Sequence, residues 1–334
     1  MSNWRYFFVS TLIAIIAVIG VALLTKSWVD VYLVITLAIL EISLSFDNAV
    51  VNAKILHHMP PKWQRRFIIW GIPIAVFGMR LVFPIVLVYA STPLGLWQTI
   101  ALSWQDPHRY TQLLNEGYPT ISAFGGAFLL MVFCQFLFDK GRDTLWLTWF
   151  EGLKPIRWLA KWHYSYVVVV LIIGVVFCLL MSSSHVVLAY VLGVLVYFVL
   201  HWVSQVCGGD QAALTQALKQ GALGFIYLEI LDASFSLDGV IGAFAITTNI
   251  LIIMVGLGIG AFFVRSLTIF FVEKKTLLKY RYLEHGAFYA IGFLGVVLLA
   301  KNFGHIPELI TASVGLVFVI AGYVSSLKYV SRQK

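Results

Sequence analysis

Seven ionisable side chains stand where this chain should offer only hydrocarbon. Glu41 and Asp47 lie in "EISLSFDNAVVN" (41–52), and Glu229, Asp232 and Asp238 in "LEILDASFSLDGVI" (228–241). Arg80 and Arg265 lie in the apolar runs that follow. A charge at the centre of a bilayer costs roughly 3 kcal/mol or more, so such residues pair with one another or face a wet, functional cavity. At 100° per residue, Glu41, Ser45, Asn48 and Asn52 share one helix face within about 40°. Glu229, Asp232 and Ser236 form the equivalent face of the second stretch. Asp47 and Asp238 point about 120° away, beside Ser43 and Ser234.

Two such faces brought together offer carboxylate, amide and hydroxyl oxygens around one point. Those are donors for a hard cation such as Mn²⁺, Mg²⁺ or Ca²⁺ rather than a soft metal. Glu41 and Asp232 are the expected ion- or proton-binding acids. Glu229 is a second-tier candidate, because its counterpart in the first stretch is Ala38. The hydroxyls of Ser43, Ser45, Ser234 and Ser236 either add ligands or bond back to their own helix. For Asp47 and Asp238 two roles stay open: ligand, or buried partner of Arg80 and Arg265. No Cys or His is placed to join them. His57 and His58 read as an interfacial polar pair, and Cys134, Cys178 and Cys207 as small buried hydrophobes.

The elements that must carry these residues are membrane helices. Of 334 residues, 60% are hydrophobic and only 11% charged, with a mean hydropathy of +0.91. A soluble globular chain carries about 25% charged residues. Runs of about 18 or more mostly apolar residues mark spans. They predict ten: 7–24, 31–53, 67–90, 119–138, 165–183, 186–204, 221–247, 249–272, 286–303 and 309–328. The first is too long for a signal-peptide core and no A-x-A-like site follows, so it reads as a retained helix. Segments 91–118 and 139–164 read as interfacial, the former with Asp106 as an N-cap ahead of Pro107.

With ten spans, Lys26, Arg109 and Lys301 fall on one side, Arg80 and Arg265 within spans, and the other 18 of the 23 Lys and Arg on the side of both termini. That asymmetry predicts cytoplasmic termini. It also excludes nucleic acid as a partner, because the basic charge is spread over six segments. No H-E-x-x-H or G-x-S-x-G motif is present, and an enzyme is not expected.

The opening stretch has a counterpart. "LEISLSFDNAV" (40–50) aligns without gaps on "LDASFSLDGVI" (231–241), setting Glu41 on Asp232, Ser43 on Ser234, Ser45 on Ser236 and Asp47 on Asp238. "GIPIAVFGMRL" (71–81) aligns likewise on "GLGIGAFFVRS" (256–266), setting Arg80 on Arg265. The spans carrying the acids are five apart and cross in opposite directions. The expected architecture is therefore all-α, with about ten transmembrane helices in a five-plus-five inverted repeat, residues 1–184 and 185–334. Such repeats place their site near the midplane, on helices that are often interrupted. Glu41 is about 15 Å into its span, half of a hydrocarbon core of about 30 Å. Gly71, Pro73, Gly78 and Pro84 in one following span, and Gly256, Gly258 and Gly260 in the other, are expected to loosen those helices.

At these residues the sequence resembles the TerC family of integral membrane proteins. "LEISLSFDNAVV" is similar to its first signature, and "SLDGVIGAFAITTNI" (236–250) with "RSLTIFF" (265–271) to its second. Gly239 and Gly242 stand where the family usually has a Ser and a Pro-containing step, marking a divergent branch of the kind filed as a domain of unknown function. The resemblance implies the lysine-exporter-like superfamily, a bacterial inner-membrane location, metal-ion export with Mn²⁺ as the usual substrate, and a link to tellurite resistance. Carried over, the functional residues are Glu41, Asp47, Asn48, Asp232 and Asp238. The expected function is a secondary cation transporter coupled to H⁺ or Na⁺, with no covalent cofactor. Its expected partners are the metal ion and the bilayer, and homo-oligomerisation is compatible with the pattern. Alternatives are export of a cationic solute such as a basic amino acid, and a non-transporting membrane partner in metal or tellurite stress.

Overall fold

The computed structural model describes residues 3–139, 144–162, 164–181, 183–208, 221–274, 280–304 and 306–332, and all regular structure among them is helical. In chain order the helices are α1 (Phe8–Thr25), α2 (Trp28–Leu44), α3 (Phe46–His58) and α4 (Pro61–Pro73). Residues Ile74–Val82 then wind as a π-helix into α5 (Phe83–Ser91), followed by α6 (Leu96–Gln105) and α7 (Pro107–Leu137). After the short α8 (Thr148–Glu151) and α9 (Lys154–Leu159) come α10 (Ser165–Leu180) and α11 (Ser184–Gly208). The last four are α12 (Ala222–Ile246), α13 (Ile250–Glu273), α14 (Leu283–Ala300) and α15 (Glu308–Arg332).

Among the described residues, six helical segments are long and apolar enough to cross a membrane: Phe8–Thr25, Pro61–Val86, Pro107–Leu137, Ser184–His201, Ile250–Glu273 and Leu283–Ala300. The α2–α3 pair, bent by 50°, makes a seventh. This is the pattern of a multi-pass membrane protein. The three remaining expected spans are helical but meet that standard less well. Helix α10 is only 16 residues long, α12 carries three acids, and the apolar part of α15 is Ser313–Tyr329.

The chain forms two compact units, Met1–Tyr118 with Asp210–Thr276, and Pro119–Gly209 with Leu277–Lys334. Each draws from both halves of the expected repeat. In the first unit, α13 is the central helix and packs against α1, α2, α3, α4, α12 and the π-helical stretch. Its start is fixed by Asn249, whose Oδ1 accepts the backbone N–H of Leu251 at 3.0 Å. Helix α1 is tied to it by Ser10, whose hydroxyl lies 2.6 Å from that of Ser266.

Two expectations about local structure change. Asp106 does cap α7, accepting the Arg109 N–H at 3.0 Å, but the helix continues for 31 residues. The segment expected to lie along the interface up to residue 118 is thus partly the first turns of a long helix. The second change concerns the glycines. The loosening expected from Pro73 and Pro84 is present as the π-helix between them, where two missing N–H groups weaken the α register. Helix α13, by contrast, is regular through Gly256, Gly258 and Gly260. Its glycines serve close packing: a Cβ at Gly260 would stand 2.5 Å from the Cβ and Cγ of Glu41, and one at Gly256 2.6 Å from Leu37 Cβ. Four-residue spacing of small residues lets two membrane helices approach backbone to backbone.

In the second unit, the segment before α8 is held by a buried carboxylate. Glu151 Oε1 accepts the N–H groups of Trp146 and Leu147 at 3.2 and 3.1 Å, and the Tyr289 hydroxyl at 3.0 Å. Trp149, Trp158 and Trp162 around it are exposed, which suits an amphipathic surface segment.

Gly260→Ala is expected to cost about 1–3 kcal/mol, because the helix pair must separate to admit the methyl group. The check is thermal unfolding in detergent; an unchanged Tm would mean that α2 and α13 tolerate the wider spacing.

Candidate cation site at a broken helix

The first unit contains a cavity of about 30 Å³. Glu41, Ser45, Asn48 and Asn52 line it from α2 and α3, and Asp232 and Ser236 from α12. Ala75, Met79 and Arg80 come from the π-helical stretch, and Ala261, Val264, Arg265 and Thr268 from α13. The two oxygen-bearing faces expected from helical spacing therefore meet, except that Glu229 stands outside the lining.

The geometry starts at the break between α2 and α3. Glu41 is 1% exposed, in the last turn of α2. Its Oε1 accepts the Ser45 hydroxyl at 2.7 Å and also Nη2 of Arg80. Its Oε2 has no hydrogen-bond partner. Gly239 makes room for that oxygen, since a Cβ there would lie 2.7 Å from it. The second acid is held differently. Asp232 Oδ1 accepts Nδ2 of Asn48 at 2.5 Å and Nδ2 of Asn52 at 2.9 Å, while Arg265 Nη2 stands 3.6 Å from Oδ2. Committing both amide nitrogens to Asp232 leaves both amide carbonyls, Asn48 Oδ1 and Asn52 Oδ1, buried and unpartnered. Ser236 Oγ is unpartnered as well. The cavity thus gathers four unsatisfied buried oxygens, one on the Glu41 carboxylate and three on neutral side chains. Such groups cost free energy until something supplies their missing interactions.

The arginines pair with the acids that were expected to be free of them. Arg80 bonds Glu41 rather than Asp47, and its Nη1 donates to the Ala75 carbonyl, one π-turn earlier. Arg265 faces Asp232, with its guanidinium 3.9 Å above the Phe67 ring. Asp47 does not line the cavity, and among the described residues it forms no ion pair with either arginine. Its Oδ1 accepts the N–H of Asn48 at 2.9 Å. The break at Ser45 creates a helix N-terminus inside the protein, and an acid in that first turn offsets its partial positive charge.

The other candidates separate as follows. Ser43 and Ser234 bond back to the carbonyls of Ile39 and Ile230, at 2.8 and 2.9 Å. Both Glu229 carboxylate oxygens are buried without a hydrogen-bond partner. The side chains of Asp238, His58 and Cys207 lie outside the described residues. Among the described residues, no group of three or more His, Cys, Asp or Glu side chains forms a metal cluster. Any ion held here would rest on two acids plus neutral oxygens.

Replacing Asn52 by Leu removes one of the two amide donors on a buried carboxylate. A hydrogen bond to a charged group contributes about 1.5–3 kcal/mol, so the variant should melt earlier by a corresponding amount in detergent. An unaltered Tm would show that the amides do not hold Asp232.

No curated protein and no solved structure matches the chain. One family does match, from Phe46 to residue 333, a range that takes in Asp232 and both arginines and begins five residues after Glu41. On that match the chain belongs to the family described as "Protein of unknown function (DUF475)".

Proposed function

We propose that this protein is a secondary transporter that exports a divalent cation of the Mn²⁺ type, by alternating access coupled to H⁺ or Na⁺. The observation that carries the reading is the cavity at the α2–α3 break, where Glu41 Oε2, Asn48 Oδ1, Asn52 Oδ1 and Ser236 Oγ are all buried and unpartnered. Hard oxygen donors of mixed charge suit Mn²⁺, Ca²⁺ or Mg²⁺. The resemblance to TerC proteins supports the same class, together with the inverted repeat, the bacterial inner membrane, cytoplasmic termini and a part in metal or tellurite stress.

Size argues against the organic alternative. Housing one water takes a cavity of about 10–15 Å³, so one of about 30 Å³ suits a small ion with a water or two and not a basic amino acid. Glu41 and Asp232 are the acids that hold the ion, and Asn48, Asn52 and Ser236 complete its shell. Asp47 anchors the start of α3, and its loss acts only through that helix.

In proteoliposomes, Glu41→Gln and Asp232→Asn should each lower Mn²⁺ flux roughly 100-fold or more, because the ion loses one of its two charged ligands. Asp47→Asn should retain far more flux than either. Parent-like transport by the first two variants would refute the assignment of these acids.

A further inference from the structure

Building on the cation-transport reading above, we infer that Arg80 and Arg265 are tethered counter-cations, two guanidiniums holding the place of one divalent ion between loads. Both arginines line the cavity and each faces one of its acids. The formal charges of Glu41, Asp232, Arg80 and Arg265 cancel. A divalent ion that entered without moving either arginine would leave two uncompensated charges in a small, low-dielectric space, a heavily penalised state. Exchanging two guanidiniums for one divalent ion leaves the charge of the cavity unchanged.

The geometry gives each guanidinium a second resting place. Arg265 makes no hydrogen bond to Asp232 and lies over Phe67, an aromatic face that keeps a cation when the carboxylate turns away. Arg80 already donates through Nη1 to the Ala75 carbonyl, and it rides on a π-helical stretch bounded by Pro73 and Pro84. π-Helical turns lie close in energy to the α register and recur at functional sites. A one-residue change of register would rotate Arg80 by about 100° relative to the helix that precedes it. The acids are not orphaned when the arginines leave. Glu41 keeps the Ser45 hydroxyl, and Asp232 keeps both asparagine amides.

A tethered counter-cation has a kinetic signature that a merely structural arginine lacks. The empty transporter must reorient with its acids neutralised, whereas the loaded one carries its own cation. In proteoliposomes, Arg80→Gln should therefore keep exchange of radiolabelled Mn²⁺ against unlabelled Mn²⁺ near the parent rate. Net efflux into Mn²⁺-free buffer should fall roughly 100-fold, because Glu41 would cross unpaired. Arg80→Lys, which keeps the charge, should restore net efflux. Arg265→Gln read in the same two modes gives an independent measurement if Arg80→Gln does not fold. Loss of both modes together, or retention of both, overturns the inference and leaves the transport reading standing. A parent protein that carries Mn²⁺ in neither mode overturns the transport reading, and this inference with it.

Discussion

A carboxylate removed from water must find its compensation inside the protein, and the first unit is organised around doing that for Glu41. The acid is closed in by α13 on one side and α12 on the other. Neither helix could come so close with a side chain at Gly260 or Gly239. The cation that answers it, Arg80, sits on a π-helical segment that leaves the α register. Close helix packing, a π-helical turn and two glycines are thus consequences of one electrostatic requirement. Asp232 meets the same requirement with softer means, two amide donors and a loosely placed arginine.

The break at Ser45 follows from the same constraint. Ser45 keeps its backbone N–H on the Glu41 carbonyl at 2.9 Å while its hydroxyl bonds the Glu41 side chain. Ser45 itself therefore stays bonded to both helices, its carbonyl accepting the Ala49 N–H at 3.1 Å. The new N-terminus is answered by Asp47, so the two acids of one short motif do different work: one faces the cavity, and the other holds the turn that shapes it. The aligned stretch of α12 runs unbroken through Asp232, Ser236 and Asp238. Matching residue types on a straight and a bent helix produce a cavity whose two acids are not equivalent.

Much of this site was legible in the sequence because helical spacing survives a bend. Glu41, Ser45, Asn48 and Asn52 share a face on paper and do line one cavity, and Asp232 and Ser236 oppose them. The back-bonding of Ser43 and Ser234 was also one of the open readings. What spacing could not reveal was the pairing of charges across helices. Aligning Asp47 with Asp238 invites pairing them with the two arginines, but a helix N-terminus can satisfy an acid without any cation, and no one-dimensional pattern announces where a helix will break. The glycines of α13 misled for a related reason. Gly256 and Gly260 carry the same four-residue spacing whether they weaken a helix or admit a neighbour, and only the neighbour decides. Likewise, the length of α7 was hidden because Pro119 looked like a start and is instead accommodated within the helix.

The balance of charge also bears on which ions a cavity of this kind can tell apart. With its acids already matched by guanidiniums, it would offer an entering ion little net attraction from a distance; on the proposed reading, discrimination comes from the exchange itself. The open donors are a carboxylate oxygen, two amide carbonyls and a hydroxyl, and there is room for an ion with only part of its water shell. Mg²⁺ gives up its water reluctantly and demands near-ideal octahedral geometry, which four fixed oxygens at a helix break do not supply. A larger or more easily dehydrated divalent ion loses less on entry and tolerates an irregular shell. Selectivity on this reasoning rests on dehydration and on the rigidity with which Asp232 holds the two asparagines, rather than on the number of negative charges in the site.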